Sequence, residues 1–152
     1  MIALRPARPG EGQALYDITE AAIRGLAVAH YSAEQIAGWM NGRDEAQYEA
    51  AIANGGVIIA IAAARPLGFV EAAQGEITRL FVRPEAAGQG LGRRLLERGV
   101  EMAGAGEVRL NATLNAAPFY ERCGFIPLGR EMYFHEGGNE PVEVVRMHRP
   151  KG

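Results

Sequence analysis

Cysteine is nearly absent from this chain: Cys123 is the only one among 152 residues, so no internal disulfide can form. Long apolar runs are missing as well. The longest, Val57 to Ala64, falls far short of the ~20 residues that a bilayer-spanning helix needs, and no membrane partner is expected. The opening Met-Ile-Ala-Leu-Arg-Pro lacks the apolar core of a secretory signal, which with the lone thiol makes the cytoplasm the expected location. Positive charge is not in excess. A formal net charge of -2 with scattered arginines argues against a nucleic-acid partner, which would call for a basic stripe. The three histidines, His30, His135 and His148, are too far apart in sequence to form a local metal motif, so no metal is expected. No Gly-Lys-Ser/Thr tripeptide occurs, which excludes the nucleoside-triphosphate loop.

What the chain does have is the composition of a globular protein, 48% hydrophobic and 22% charged. Its length fills one core and is too short for two ordinary domains, so residues 1–152 read as a single domain. A strand is expected at Ile2 to Arg5, followed by a helix from about Glu11 to Leu26 with Leu15, Ile18, Ala22 and Leu26 at helical spacing. Ser32 with Gln35, and Asp44 with Gln47, resemble capping boxes opening two more helices. A meander of strands at Val57 to Ala63, Leu67 to Ala73 and Glu76 to Val82 follows, with turns expected at Arg65-Pro66 and near Gly75. A helix from Gly90 to about Ala103, a strand at Val108 to Asn111, a helix at about Ala116 to Arg122, and strands near Ile126 to Arg130 and Val142 to His148 complete an α/β (α+β) layered architecture. Glu136 to Pro141 reads as a turn-rich loop bordering the site.

The most informative stretch joins the third meander strand to the next helix through Ala87-Gly-Gln-Gly-Leu-Gly-Arg93. Strand, glycine-rich turn and helix N-terminus together present unpaired N–H groups and a positive dipole end to one spot, which suits a pyrophosphate. The spacing Gly88-x-Gly90-x-Gly92 differs from the dinucleotide fingerprint, since Arg93 stands where a third glycine belongs. It resembles the coenzyme A loop of the GNAT superfamily of acyl-CoA-dependent N-acetyltransferases, with Ala87 where that family usually has Arg or Gln. A second block, Leu110 to Phe125, resembles the family's Asn-x-x-Ala-x-x-Phe-Tyr-x-x-x-Gly-Phe segment through Asn115, Phe119-Tyr120 and Gly124-Phe125. The Tyr31 to Trp39 segment resembles a subgroup of small bacterial-type acetyltransferases, so the likeness extends over the whole chain.

The resemblance implies a mixed central sheet, splayed around coenzyme A and flanked by helices, with acetyl-CoA as acyl donor. A small-molecule or peptide amine would be the acceptor, and a homodimer is among the partners it allows. Ala87, Gly88, Gln89, Gly90, Leu91, Gly92 and Arg93 would cradle the pyrophosphate, and Asn115 would hydrogen-bond the pantetheine arm unless it caps the helix that follows. The family's oxyanion amide lies in a bulged strand segment that maps to Leu80, Phe81 and Val82. Glu76 falls where some members carry a general base; otherwise it is simply a charged residue after a turn. Tyr120 matches the family's acid beside the sulfur, or else it is a core aromatic. Cys123, without a nearby histidine in sequence, reads as a small buried hydrophobe, which favours direct transfer over a covalent enzyme intermediate. Tyr31, Trp39, Tyr133 and Phe134 map to the acceptor side, where each serves equally well as packing. Loss of catalysis would leave the alternative, an inactive acyl-CoA-binding sensor or interaction module.

Overall fold

The computed structural model describes residues 1–26, 31–40, 43–133 and 142–151. Among these residues seven strands form one sheet: β1 (Ala3–Pro6), β2 (Val57–Ala62), β3 (Arg65–Ala73), β4 (Glu76–Val82), β5 (Val108–Thr113), β6 (Ile126–Tyr133) and β7 (Val142–Arg149), in the spatial order β1-β2-β3-β4-β5-β7-β6. Among the described residues five α-helices cover it: α1 (Gly12–Leu26), α2 (Ala33–Met40), α3 (Glu45–Ala53), α4 (Leu91–Ala103) and α5 (Ala117–Arg122). This is the mixed, helix-flanked sheet expected from the sequence. Every neighbouring pair is antiparallel except β4 and β5, which run parallel and share one partnered position, Glu76 with Arg109.

Two helix starts are built as their sequences indicate. The Ser32 hydroxyl accepts from the Gln35 N–H at 3.0 Å while the Gln35 side chain accepts from the Ser32 N–H at 2.9 Å, so both halves of the box are made. The Asp44 carboxylate accepts from the Gln47 N–H at 3.1 Å and opens α3. Leu15, Ile18 and Ala22 are buried along one stripe of α1, Leu15 and Ile18 against Tyr48 of α3 and Ile59 and Phe69 of the sheet. The opposite sheet face packs on α4 and α5 through Val70, Ile77, Leu95, Leu96, Leu110 and Met147. With both faces covered, β2 buries four consecutive residues, Val57 to Ala60, which explains why this strand reads as an unbroken apolar run.

Two local expectations are corrected. The turn between β2 and β3 lies at Ala63-Ala64, both left-handed (φ 50° and 65°), and not at Arg65-Pro66. Arg65 and Pro66 already belong to β3, partnered with Ala62 and Ile61, and the register shift between Ala60 and Ile61 provides the bulge in which a strand proline is tolerated. The second correction concerns β4. Its register passes from Glu71↔Arg79 to Ala72↔Ile77, so Thr78 is the extra residue and the bulge precedes Leu80–Val82, where the family pattern had placed it.

Candidate active site

Beyond the Glu76↔Arg109 position β4 and β5 part, and the wedge between them opens into a cavity of about 820 Å³. Among the described residues the splay leaves one edge of β4 beyond Glu76 without a ladder partner. The Arg83 N–H bonds the Leu67 carbonyl of β3 at 2.8 Å, which fixes the phase of this ladder. Because amides alternate sides along a strand, Arg79 and Phe81 then face β3 with their N–H groups, while the N–H groups of Leu80 and Val82 turn toward the gap. Leu80, Phe81 and Val82 all line the cavity.

One end of the cavity is closed by the glycine turn. Gly90 caps α4 in the left-handed region (φ 80°, ψ 1°) and Gly88 shares that conformation (φ 81°), which disfavours side chains at both positions. The first helical bond runs from the Arg94 N–H to the Gly90 carbonyl at 3.2 Å, so the N–H groups of Leu91, Gly92 and Arg93 have no acceptor within the helix. The first turn contains no acidic residue and instead carries Arg93 and Arg94, an arrangement that opposes the dipole until an anion sits there. Gly92 has a different purpose from its neighbours. A Cβ there would approach the Phe119 ring at 3.3 Å, so this glycine lets α4 sit close on α5.

Tyr120 lines the middle of the cavity. It is 7% exposed, packed edge-on between Phe119 and Phe125, and no hydrogen bond is made by its hydroxyl among the described residues. Burial first, and Cys123 second, push its phenol pKa well above the ordinary tyrosine value, so it remains a proton donor at any working pH. Asn115 is the other notable group. Its Oδ1 is buried without a partner among the described residues, and α5 is capped by Ala116 with no side-chain bond, so Asn115 does not cap that helix. A buried carbonyl left unpaired costs about 1–3 kcal/mol, a debt that a ligand N–H in the cavity would remove. The open helix end and this orphaned acceptor fit a ligand with an anionic head and an amide-bearing arm.

The remaining sequence candidates divide. Glu76, Ala87, Gly88, Gly90, Gly92 and Arg93 line the cavity with the groups above. Leu91 does not: its side chain is 1% exposed and fills the core under α4, leaving only its amide for a ligand. Gln89 is exposed and outside the cavity wall. Tyr31 is also outside that wall. Its buried hydroxyl donates to the Glu143 carbonyl at 2.7 Å and accepts from the Leu114 N–H at 2.8 Å, tying β7 to the end of β5. Burial raises its pKa, partly offset by the Leu114 bond. Trp39 lies in α2 and Tyr133 ends β6, but their side chains fall outside the described residues, as do Phe134, His30, His135 and the Glu136 to Pro141 loop.

The structure also brings in residues that no motif singled out. Arg43, Glu71, Thr78 and Arg79 line the end of the cavity that holds Glu76. The Thr78 hydroxyl donates to Glu71, 2.7 Å from Oε1, and Arg79 Nη1 reaches the other oxygen at 3.4 Å. A regular hairpin about Gln74-Gly75 would set Glu71 opposite Thr78; the bulge replaces Thr78 by Arg79 as its partner, so the pairing could not be read from the turn alone.

A sheet splayed at a parallel pair, with a glycine-capped helix on one side and a buried tyrosine in the wedge, defines an acyltransferase architecture, and known proteins match it. Residues 27–138 match the acetyltransferase (GNAT) domain family, and the chain belongs to the GNAT N-acetyltransferases. It is 35% identical over 124 residues to the uncharacterized N-acetyltransferase YafP of Escherichia coli K12, spanning 82% of this chain and 81% of that one. A GCN5-related N-acetyltransferase from Rhodopseudomonas palustris superposes with a TM-score of 0.90 at 28% identity, over 97% of this chain and 94% of its own. PaiA N-acetyltransferase from Thermoplasma acidophilum, in complex with coenzyme A, shares the fold with a TM-score of 0.74 at 19% identity, over 99% of each chain.

Proposed function

We propose that this N-acetyltransferase moves an acetyl group from acetyl-CoA to a primary amine by direct attack within a ternary complex. The supporting observation is one continuous cavity lined by the glycine turn, by Tyr120 and Asn115, and by Glu76 and the edge of β4. Bound acetyl-CoA supplies an electrophilic thioester carbonyl. The amides of residues 91–93 hold the pyrophosphate, helped by Arg93, and the Asn115 carbonyl accepts an amide proton from the pantetheine arm. The Leu80 or Val82 amide, fixed in the wall of the wedge, stabilises the carbonyl oxygen as negative charge develops on it. Glu76 takes the proton that the acceptor must lose, directly or through water. As the carbon–nitrogen bond forms and the carbon–sulfur bond breaks, the Tyr120 hydroxyl hydrogen-bonds the developing thiolate and protonates it late, its own proton being replaced from solvent. Cys123 is buried in the core cluster behind Tyr120, which supports direct attack over an acyl-cysteine.

An acceptor screen with acetyl-CoA, read by thiol release, tests the reading. Glu76→Gln lowers turnover most at low pH, where the amine is protonated, and least at high pH, where free amine needs no base. An unchanged pH profile removes Glu76 from the mechanism. Tight coenzyme A binding without thiol release across a broad amine panel would instead mark a binding module.

A further inference from the structure

The end of the cavity that holds Glu76 contains a guanidinium that the protein itself leaves under-used. Arg79 has five N–H donors, yet among the described residues it makes one hydrogen bond, the 3.4 Å contact with Glu71. Its side chain is only 26% exposed. The carboxylate it reaches is already engaged, since Thr78 occupies the other Glu71 oxygen at 2.7 Å. None of its nitrogens is both buried and unpaired, so the guanidinium keeps donors open to the cavity that a bound anion could take.

Arg79 is held firmly. Its guanidinium lies over the Tyr48 ring, 5.0 Å from the centroid, and Tyr48 is fully buried. The hydroxyl of the same tyrosine accepts a hydrogen bond from Arg43 Nη1 at 3.1 Å. One immobile ring therefore locates two arginines, and both line the cavity. They share it with Glu76 on one sheet face: Glu76 is partnered with Ala73 and Arg79 with Glu71, two residues apart on β3 and hence on the same side. A rigid planar fork suits a carboxylate, which it can grip with two parallel bonds.

We propose that the acceptor is an amine that also carries a carboxylate, gripped by Arg79 together with Arg43 while its amino group faces Glu76. This rests on the acetyl-transfer reading above and narrows its substrate class. A neutral amine would occupy the site without using the open donors of Arg79, whereas a carboxylate takes them in charge-assisted bonds. Ile23, Phe81 and Val144 belong to one apolar cluster and line the same cavity, which suits an acceptor with an apolar side chain.

The test uses matched triplets: leucine, leucinamide and isopentylamine, then phenylalanine, its amide and phenethylamine. An amino amide is less basic than the parent amino acid, so without carboxylate recognition it would be the better acceptor. The expected result is the reverse, with kcat/KM for the acids exceeding that for the amides by about 10- to 100-fold, the loss that follows from removing a charge-assisted pair of bonds. Arg79→Gln lowers that preference by a similar factor through KM, Arg43→Gln lowers it less, and Arg79→Lys, which keeps the charge without the fork, restores part of it. A second arm does not depend on turnover. Calorimetric binding of 4-methylpentanoate, a carboxylate without an amine, to the coenzyme A-loaded protein is expected to weaken about 10-fold or more in Arg79→Gln, with coenzyme A titration of each variant reporting its fold. Amides or plain amines acetylated as well as the acids, or 4-methylpentanoate bound equally by wild type and Arg79→Gln, overturns the proposal. Arginine-dependent carboxylate binding without acetylation of any amine would uphold the anion site and sink the acetyl-transfer reading instead.

Discussion

Tyr120 and Asn115 show how a single side chain acquires a chemical role from its surroundings. Both are in the wedge, one as a donor raised in pKa by burial and the other as an acceptor without a partner. Tyr120→Phe keeps the ring and its edge-on contacts, so thermal stability at neutral pH should stay close to wild type while kcat falls about 10²- to 10⁴-fold. The loss should shrink with an acyl donor whose leaving thiol is more acidic. Equal losses for good and poor leaving groups would show that Tyr120 orients the donor rather than protonating sulfur. Asn115→Ala separates binding from folding in another way. Removing a buried, unpaired carbonyl should leave the melting temperature of the free protein unchanged or higher, while coenzyme A binds roughly 2- to 10-fold more weakly. A large drop in melting temperature with unaltered coenzyme affinity would make Asn115 a structural residue.

Among the elements, the opening of α4 and the bulge of β4 position the chemistry. The first was legible in the sequence, because glycine spacing before an amphipathic helix has a direct backbone meaning. What could not be read was that the three glycines serve two purposes. Gly90 is favoured by its left-handed backbone, whereas at Gly92 a Cβ would stand 3.3 Å from the Phe119 ring, which would have to give by a few tenths of an ångström. The two should therefore fail differently. Gly90→Val forces a β-branched residue into a conformation costing about 1–3 kcal/mol, and a folded variant should lose coenzyme A affinity sharply. Gly92→Ala should be partly rescued by Phe119→Leu, which relieves the contact, whereas Gly90→Val should not. Isothermal titration with coenzyme A across these variants decides it; identical behaviour of the two glycines would reject the division. The bulge was placed two residues late from the family pattern, since a one-residue insertion leaves no mark in the sequence and shows itself only through the partner strand.

For the whole molecule, burial of two phenols sets a boundary on the alkaline side. Tyr120 and Tyr31 both have pKa values raised above the unfolded value of about 10 by burial, so the folded state retains protons that the unfolded chain gives up. The stability they protect is complete below pH of about 10 and declines as pH rises above it, by at most about 1.4 kcal/mol per pH unit for each group. Urea unfolding between pH 8 and 11 should show this decline in the wild type and a shallower one in Tyr120→Phe. Parallel curves for the two proteins would mean that Tyr120 titrates in the fold much as it does unfolded.

The sequence by itself determined the order of elements, the two helix starts at Ser32 and Asp44, the glycine turn with its anion-binding geometry, and the family to which the chain belongs. Those features are local: each depends on backbone preferences or spacing within a few residues, which amino-acid identity encodes directly. Only the tertiary structure decided which side chains share the wedge. Tyr31, placed by resemblance on the acceptor side, instead ties β5 to β7, because its hydroxyl meets backbone groups far away in sequence. Arg43 and Arg79 come together on Tyr48 through the packing of α3 against the sheet and a bulge that changes the partner of Glu71. Such convergence depends on register and helix placement, quantities summed over the whole core, so no short stretch of sequence contains them.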